Sequence, residues 1–212
     1  APIADVLRAP RIWVPASGIT IGSSTLGNLL LAFMLGYAAK AKLFSASTML
    51  TVTIVAALLW CAVLPAAALL AGRLGRKRVL VAGTVGTIVW AYPYFALVES
   101  GSRPGLFLGT MVAAACIAVA TGPYGAYLSE AFPAEIRYSG ASIAYGLGGV
   151  LGGAIAPIAA TLLVTSTGGL GAVAGYVAAA SVVSLIAALT LRSPYPAEEP
   201  VESVADETAR LG

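Results

Sequence analysis

Six long runs of apolar residues divide the chain, and short polar segments separate them. An α-helix needs about 20 apolar residues to cross a hydrocarbon core of roughly 30 Å, and each run reaches that length. A transmembrane β-barrel would instead show strands of about ten residues with alternating apolar and polar positions, whereas these runs are continuous. The pattern therefore predicts six transmembrane helices, numbered spans 1 to 6. Their predicted bounds are 12–37, 47–71, 79–98, 106–128, 140–164 and 172–191.

The positive charges in the polar segments are distributed unevenly between the two sides of this arrangement. Nine of the twelve lysines and arginines fall on the side of the termini: Arg8, Arg11, Arg73, Arg76, Lys77, Arg78, Arg137, Arg192 and Arg210. The other side holds Lys40, Lys42 and Arg103. Loops that stay in the cytoplasm carry an excess of lysine and arginine. The sequence therefore predicts a multi-pass protein of the cell membrane with both termini in the cytoplasm.

Two segments flank the six spans. Residues 1–11 are expected to form a cytoplasmic linker and not a cleaved signal peptide, because the apolar run that follows is too long for one. Residues 193–212 are rich in proline and glutamate. Such a composition favours a disordered acidic cytoplasmic tail, since it cannot bury enough apolar surface to fold.

The composition agrees with a membrane protein and narrows the function. The 212 residues are 59% hydrophobic and 10% charged, with a mean hydropathy of +0.92, whereas a soluble domain is about a quarter charged. The net charge of +3 is scattered over loops, so a nucleic-acid interface is not expected. The chain has no histidine and no paired acids. We therefore expect no enzymatic activity, no catalytic residues, no metal site and no cofactor.

Span 5 carries closely spaced glycines. Gly148 and Gly152 form one G-x-x-x-G pair, and Gly149 and Gly153 form a second that overlaps it. Glycines four residues apart open a groove on one helix face, where a neighbouring backbone can approach closely. The run does not fit a dinucleotide-binding loop, because no strand precedes it. We therefore expect these glycines to pack against another span.

The polar groups predicted at membrane depth are all neutral, since no charged residue falls in the middle of a span. Asn28, near the middle of span 1, is the most costly of them to bury without a partner. Two interpretations of its side chain stay open: a hydrogen bond to another helix, or contact with a ligand or water.

Two loops carry residues that resemble a known family. The loop between spans 2 and 3, from Gly72 to Arg78, reads G-R-L-G-R-K-R; it is similar to the D-R-x-G-R-[RK] loop of the major facilitator superfamily. The segment from Glu130 to Ser142 resembles E-x-F-P-x-x-x-R-Y-[ST]-G-A-S, a pattern of the metabolite:proton symporter branch. Members of that branch carry shikimate, citrate, 2-oxoglutarate, proline or betaine.

The resemblance implies an all-α membrane fold of six transmembrane helices, equivalent to the carboxyl-terminal half of a twelve-span transporter. The implied partners are the lipid bilayer, a small-molecule metabolite and a missing amino-terminal six-span half. The implied mechanism is proton-coupled alternating access, in which one half rocks against the other around a midplane site. The chain alone is then expected to transport nothing. The alternative is a six-span, non-transporting scaffold or regulatory partner of a full-length transporter.

The same resemblance implies roles for individual residues. The candidates for the substrate pocket are Thr25, Asn28, Tyr124 and Tyr145. The candidates for the cytoplasmic gate loops are Arg73, Gly75, Arg76, Glu130 and Arg137. The chain departs from the family pattern at Gly72, which replaces the loop aspartate, and at Tyr124, which replaces a common glutamine. Without that aspartate, Arg73 and Arg76 are expected to face helix carboxyl ends or Glu130.

Overall fold

The computed structural model describes residues 10–41 and 43–191, which form helices joined by short connections. Six helices in the described part of the chain are long and apolar enough to cross a membrane, and they confirm the predicted number of spans. They run Pro10–Tyr37, Ala46–Leu74, Arg76–Glu99, Arg103–Ser129, Arg137–Thr167 and Gly171–Thr190. The first helix already begins at Pro10, inside the segment expected to be a linker. Residues 1–9 and the expected tail at 193–212 lie outside the described residues.

Spans 1, 4 and 5 are not single regular helices. Span 1 consists of Pro10–Asn28, a π-helical turn at Leu29–Phe33, and Met34–Ala41. Span 5 consists of Arg137–Gly149, a π-helical turn at Val150–Ala154, and Ala156–Thr167. Span 4 breaks at Pro123, between Arg103–Thr121 and Tyr124–Ser129. Proline has no backbone donor, which explains the break in span 4; π-helical turns are frequent at functional sites.

Span 1 lies at the centre of the bundle. In its most apolar stretch 67% of the residues are buried, against 17% in span 2 and 28% in span 5. Spans 2 and 5 therefore present wide apolar faces, on which Leu58, Leu69, Ile158 and Leu162 are each more than 60% exposed. Such faces need lipid or another polypeptide to cover them.

Small residues let span 1 approach span 6. A β-carbon built on Gly22 would lie 2.6 Å from the Cα of Ser181. The hydroxyl of Ser184 donates to the carbonyl of Gly18 at 2.8 Å and accepts from the amide of Gly22 at 2.8 Å. Gly18 and Gly22 thus form a G-x-x-x-G contact that our reading of the sequence missed, although the spacing was visible in span 1.

Candidate functional site

The π-helical turn of span 5 packs against span 1 at Asn28. This residue immediately precedes the π-helical turn of span 1, and Gly153 lies in that of span 5. A β-carbon on Gly153 would lie 2.5 Å from the amide nitrogen of Asn28. The side chain of Asn28 is exposed and donates one hydrogen bond, to the carbonyl of Ser24 at 3.0 Å. Since a carboxamide has two donor hydrogens and an acceptor oxygen, the exposed part of Asn28 is available to a ligand or to water.

Of the cavities that border span 5, two have tyrosine side chains in their lining. The first, of about 490 Å³, lies between spans 1 and 5, and its lining includes Phe33, Tyr37 and Thr161. The rings of Phe33 and Tyr37 stack with their centroids 5.8 Å apart. The second, of about 570 Å³, lies between spans 4 and 5, and its lining includes Tyr124 and Tyr145. Both volumes fall in the range of about 300–1,000 Å³ that is usual for small-molecule sites.

The four predicted pocket residues have different environments. Tyr124 and Tyr145 line the same cavity. The hydroxyl of Tyr124 is buried, lies 2.7 Å from the hydroxyl of Ser23 and donates to the carbonyl of Ile19 at 3.1 Å. Tyr145 is 58% exposed. Thr25 is fully buried and donates to the carbonyl of Gly152 at 3.1 Å, so its hydroxyl serves the contact between spans 1 and 5.

The predicted gate residues lie at one end of the bundle, together with the carboxyl end of span 6. We call this end, which contains residues 72–78, 130–137 and 188–191, the basic end. Arg76 forms an ion pair with Glu130, one of the two partners expected for it. Gly75 has a φ of +94°, which only glycine adopts easily, in the tight turn between spans 2 and 3. The guanidinium of Arg137 lies near the carbonyl of Phe132, at 3.5 Å.

Lys77 contacts the carboxyl end of span 6, and Arg73 lies in the last turn of span 2. The ammonium of Lys77 donates to the carbonyls of Leu189 and Leu191 at 2.9 and 3.2 Å. The hydroxyl of Tyr127 donates to the carbonyl of Leu191 as well, at 3.1 Å. The last carbonyls of a helix lack partners within the helix, and a cation there is favoured by the helix dipole. These contacts join spans 3 and 4 to the end of span 6.

The four glycines of span 5 do not lie on one face. A β-carbon on Gly148 would overlap the carbonyl oxygen of Ser17, and one on Gly152 would overlap that of Ile21. Gly153 faces Asn28, whereas a β-carbon on Gly149 would meet no atom within 4 Å. Gly149 lies about 100° around the helix from Gly148, because an α-helix has 3.6 residues per turn. Three of the four glycines thus contact span 1.

The sequence model of the Major Facilitator Superfamily matches residues 16–211, which is nearly the whole chain. The chain belongs to the Major Facilitator Superfamily. The matched range includes both loops that resemble the family in the sequence, Gly72 to Arg78 and Glu130 to Ser142. Among the described residues, no group of three histidine, cysteine, aspartate or glutamate side chains is placed to hold a metal ion.

The chain is similar to several superfamily members from bacteria. It is 39% identical over 126 residues to the inner membrane metabolite transport protein YhjE of Escherichia coli, covering 59% of this chain and 28% of the relative. It is 29% identical to the shikimate transporter of Escherichia coli, covering 90% of this chain and 44% of the relative. It is also 29% identical to the glycine betaine/proline/ectoine/pipecolic acid transporter OusA of Dickeya dadantii, covering 82% of this chain and 35% of the relative.

The chain spans less than half the length of each of these Major Facilitator Superfamily relatives. No solved structure matches it. The relatives are transporters by name, in agreement with a family of membrane transporters.

Proposed function

We propose that the chain is the carboxyl-terminal, six-span half of a secondary active transporter. Its substrate is a small polar metabolite, such as an organic acid, an amino acid or a betaine, moved by proton-coupled alternating access. The observation that carries this proposal is the exposed carboxamide of Asn28, which lies between the π-helical turn that follows it in span 1 and Gly153 in the π-helical turn of span 5. An exposed amide in hydrocarbon is costly. We therefore infer that Asn28 lies on the face that a second protein half covers, and that the substrate binds between the two halves.

Two features support the need for a second half. The chain spans less than half the length of the relatives it matches. Spans 2 and 5 also leave broad apolar faces exposed, and a second bundle of six helices would cover parts of them. Transporters of this type place their substrate at the interface of two structural repeats. In our proposal the chain therefore transports nothing without a partner half.

Proton coupling, in this proposal, uses acids of the partner half. Among the described residues, acidic side chains lie at the ends of spans or in the loops next to them: Glu99, Glu130 and Glu135. None of these lies in the middle of a span, where transporters hold the groups that carry protons. This half would then contribute neutral contacts to the substrate from Asn28, Tyr124 and Tyr145.

The basic end faces the cytoplasm in this proposal, with both termini on that side of the cell membrane. Its cations in the described part of the chain are Arg73, Arg76, Lys77, Arg78 and Arg137, whereas Arg103 begins span 4 at the opposite end. Cytoplasmic loops carry the excess of lysine and arginine, and this supports the orientation.

Replacing Asn28 by leucine tests the substrate site. In a transporter completed by an amino-terminal six-span half, Asn28→Leu is expected to lower uptake of the transported metabolite about tenfold or more. A buried polar group on a substrate loses its partner when the amide is removed, which costs about 1–3 kcal/mol. The measurement is uptake of radiolabelled shikimate, proline and glycine betaine into cells.

Two controls make this test specific. Leu31→Ala changes an exposed side chain in the π-helical turn of span 1 and should leave uptake close to that of the parent. Arg103→Cys is added to Asn28→Leu and to Leu31→Ala. In both proteins this cysteine should react with an impermeant maleimide added outside the cell, which checks membrane insertion and the proposed orientation together. Unchanged substrate affinity in Asn28→Leu, or reaction of position 103 only after the cells are opened, would contradict the respective proposal.

A further inference from the structure

Four cationic side chains surround a cavity at the basic end. The cavity has a volume of about 750 Å³, and its lining includes Arg73, Arg76, Lys77, Arg78 and Glu130. Counted over the described residues that line it, four positive charges against one carboxylate give a net charge of +3. A β-carbon on Gly72, which also lines the cavity, would meet no atom within 4 Å. The cavity is therefore open at the position where the family motif carries an aspartate.

Two of the four cations have protein partners, and the other two are available to bind an anion. Arg76 is paired with Glu130, and Lys77 donates to the carbonyls at the end of span 6. Arg73 and Arg78 are exposed, and within the described part of the chain neither forms an ion pair. The first turn of span 3 contains three of the cations and no acid. Since like charges repel each other, a bound anion would stabilise this cluster.

The cluster lies where lipid headgroups are found. Span 3 has 24 residues, about 36 Å at 1.5 Å per residue, which exceeds the hydrocarbon thickness of roughly 30 Å. Its charged first turn therefore lies in the headgroup region. On the adjoining end of span 2, Leu69, Leu70 and Leu74 are 75%, 45% and 52% exposed. Apolar side chains thus continue directly from the cationic cavity along span 2.

We propose that this cavity binds the phosphate headgroup of an anionic phospholipid, such as phosphatidylglycerol. Arg73 and Arg78 contact the phosphate, and the acyl chains lie along Leu69, Leu70 and Leu74. A soluble phosphate or an acidic peptide would contact the cations but not the apolar face. A phospholipid would contact both, through its headgroup and its acyl chains. Basic pockets between membrane helices are known to bind anionic headgroups. The proposal depends on the membrane location of the chain and not on the transport function.

Native mass spectrometry of the purified, full 212-residue chain tests this proposal. The chain in a neutral detergent is given equal amounts of dioleoylphosphatidylglycerol and dioleoylphosphatidylcholine, and bound lipid is counted. We expect phosphatidylglycerol to be retained preferentially. Arg73→Gln and Arg78→Gln should each reduce that preference about fivefold, as expected for one cation near a membrane surface. Gly72→Asp, which adds a carboxylate to the cavity, should reduce it too.

Arg103→Gln is the matched control, because it removes one arginine from the opposite end of the bundle, and it should leave the preference unchanged. Equal retention of the two lipids would overturn the proposal. So would a preference that survives in Arg73→Gln/Arg78→Gln, or one that millimolar inorganic phosphate abolishes, which would indicate a soluble anion. A preference that appears only after removal of residues 193–212 would also overturn it, since the chain's own acidic segment would then occupy the cavity.

Discussion

Gly152→Ala is expected to destabilise the six-span bundle by about 2 kcal/mol. The added methyl group would overlap the carbonyl oxygen of Ile21 and would lie 2.9 Å from its Cα. Neither backbone can withdraw easily, because span 1 is the most buried span of the described chain. Overpacking of this kind costs about 1–3 kcal/mol, and a backbone overlap belongs at the upper end of that range. The preference of helices for alanine, about 1 kcal/mol, offsets part of the loss.

Thermal unfolding of the chain in detergent, followed by circular dichroism, measures this effect. A loss of about 2 kcal/mol corresponds to a fall in Tm of about 4–8 °C for a chain of this size. Gly149→Ala is the matched control on the same helix, because its β-carbon would meet no atom within 4 Å. It should leave the Tm unchanged or raise it slightly. An equal fall in both variants would contradict the packing of span 5 on span 1.

Gly22→Ala is expected to have an effect of similar size at the contact between spans 1 and 6. Its β-carbon would lie 2.6 Å from the Cα of Ser181 and 2.8 Å from the hydroxyl oxygen of that residue. Moving the spans apart would also stretch the hydrogen bonds that Ser184 makes to Gly18 and Gly22. We therefore expect a fall in Tm of about 4–8 °C here as well.

A second substitution at Ser181 should recover part of this loss. The hydroxyl of Ser181 is buried without a hydrogen-bond partner, so Ser181→Gly leaves no donor or acceptor without its partner. Ser181→Gly removes the close contacts between the added methyl group at position 22 and the side chain of Ser181. The close contact with the Cα at position 181 stays. The double variant should therefore be more stable than the sum of the single changes by at least about 0.5 kcal/mol. Simple additivity would show that the two residues do not touch.

The number of spans and their order could be predicted because continuous apolar runs of this length leave few alternatives in a membrane. The pairing of Arg76 with Glu130 was also within reach, since both residues lie at ends of spans that the topology brings to the same side. The partner of Lys77 was not. Its ammonium contacts Leu189 and Leu191, more than a hundred positions along the chain, and backbone carbonyls leave no mark in a sequence.

Which side of span 1 is buried and which is exposed could not be predicted either. Thr25 and Asn28 lie three positions apart in a stretch of span 1 that also carries several serines and threonines, so polarity alone does not distinguish its buried side from its exposed side. The structure buries Thr25 against Gly152 and leaves Asn28 exposed. The π-helical turns at Leu29–Phe33 and Val150–Ala154 shift the residues that follow them around the helix axis. A regular period of 3.6 residues cannot describe a span that contains such a turn.

The central claim is that this chain is one half of a transporter. The most direct test is uptake by liposomes that contain only these 212 residues, with an imposed proton gradient and radiolabelled shikimate, proline or glycine betaine outside. We predict uptake equal to that of protein-free liposomes, because a single six-span half cannot alternate around a midplane site. Saturable uptake by the chain alone that disappears when the proton gradient is dissipated would contradict the claim.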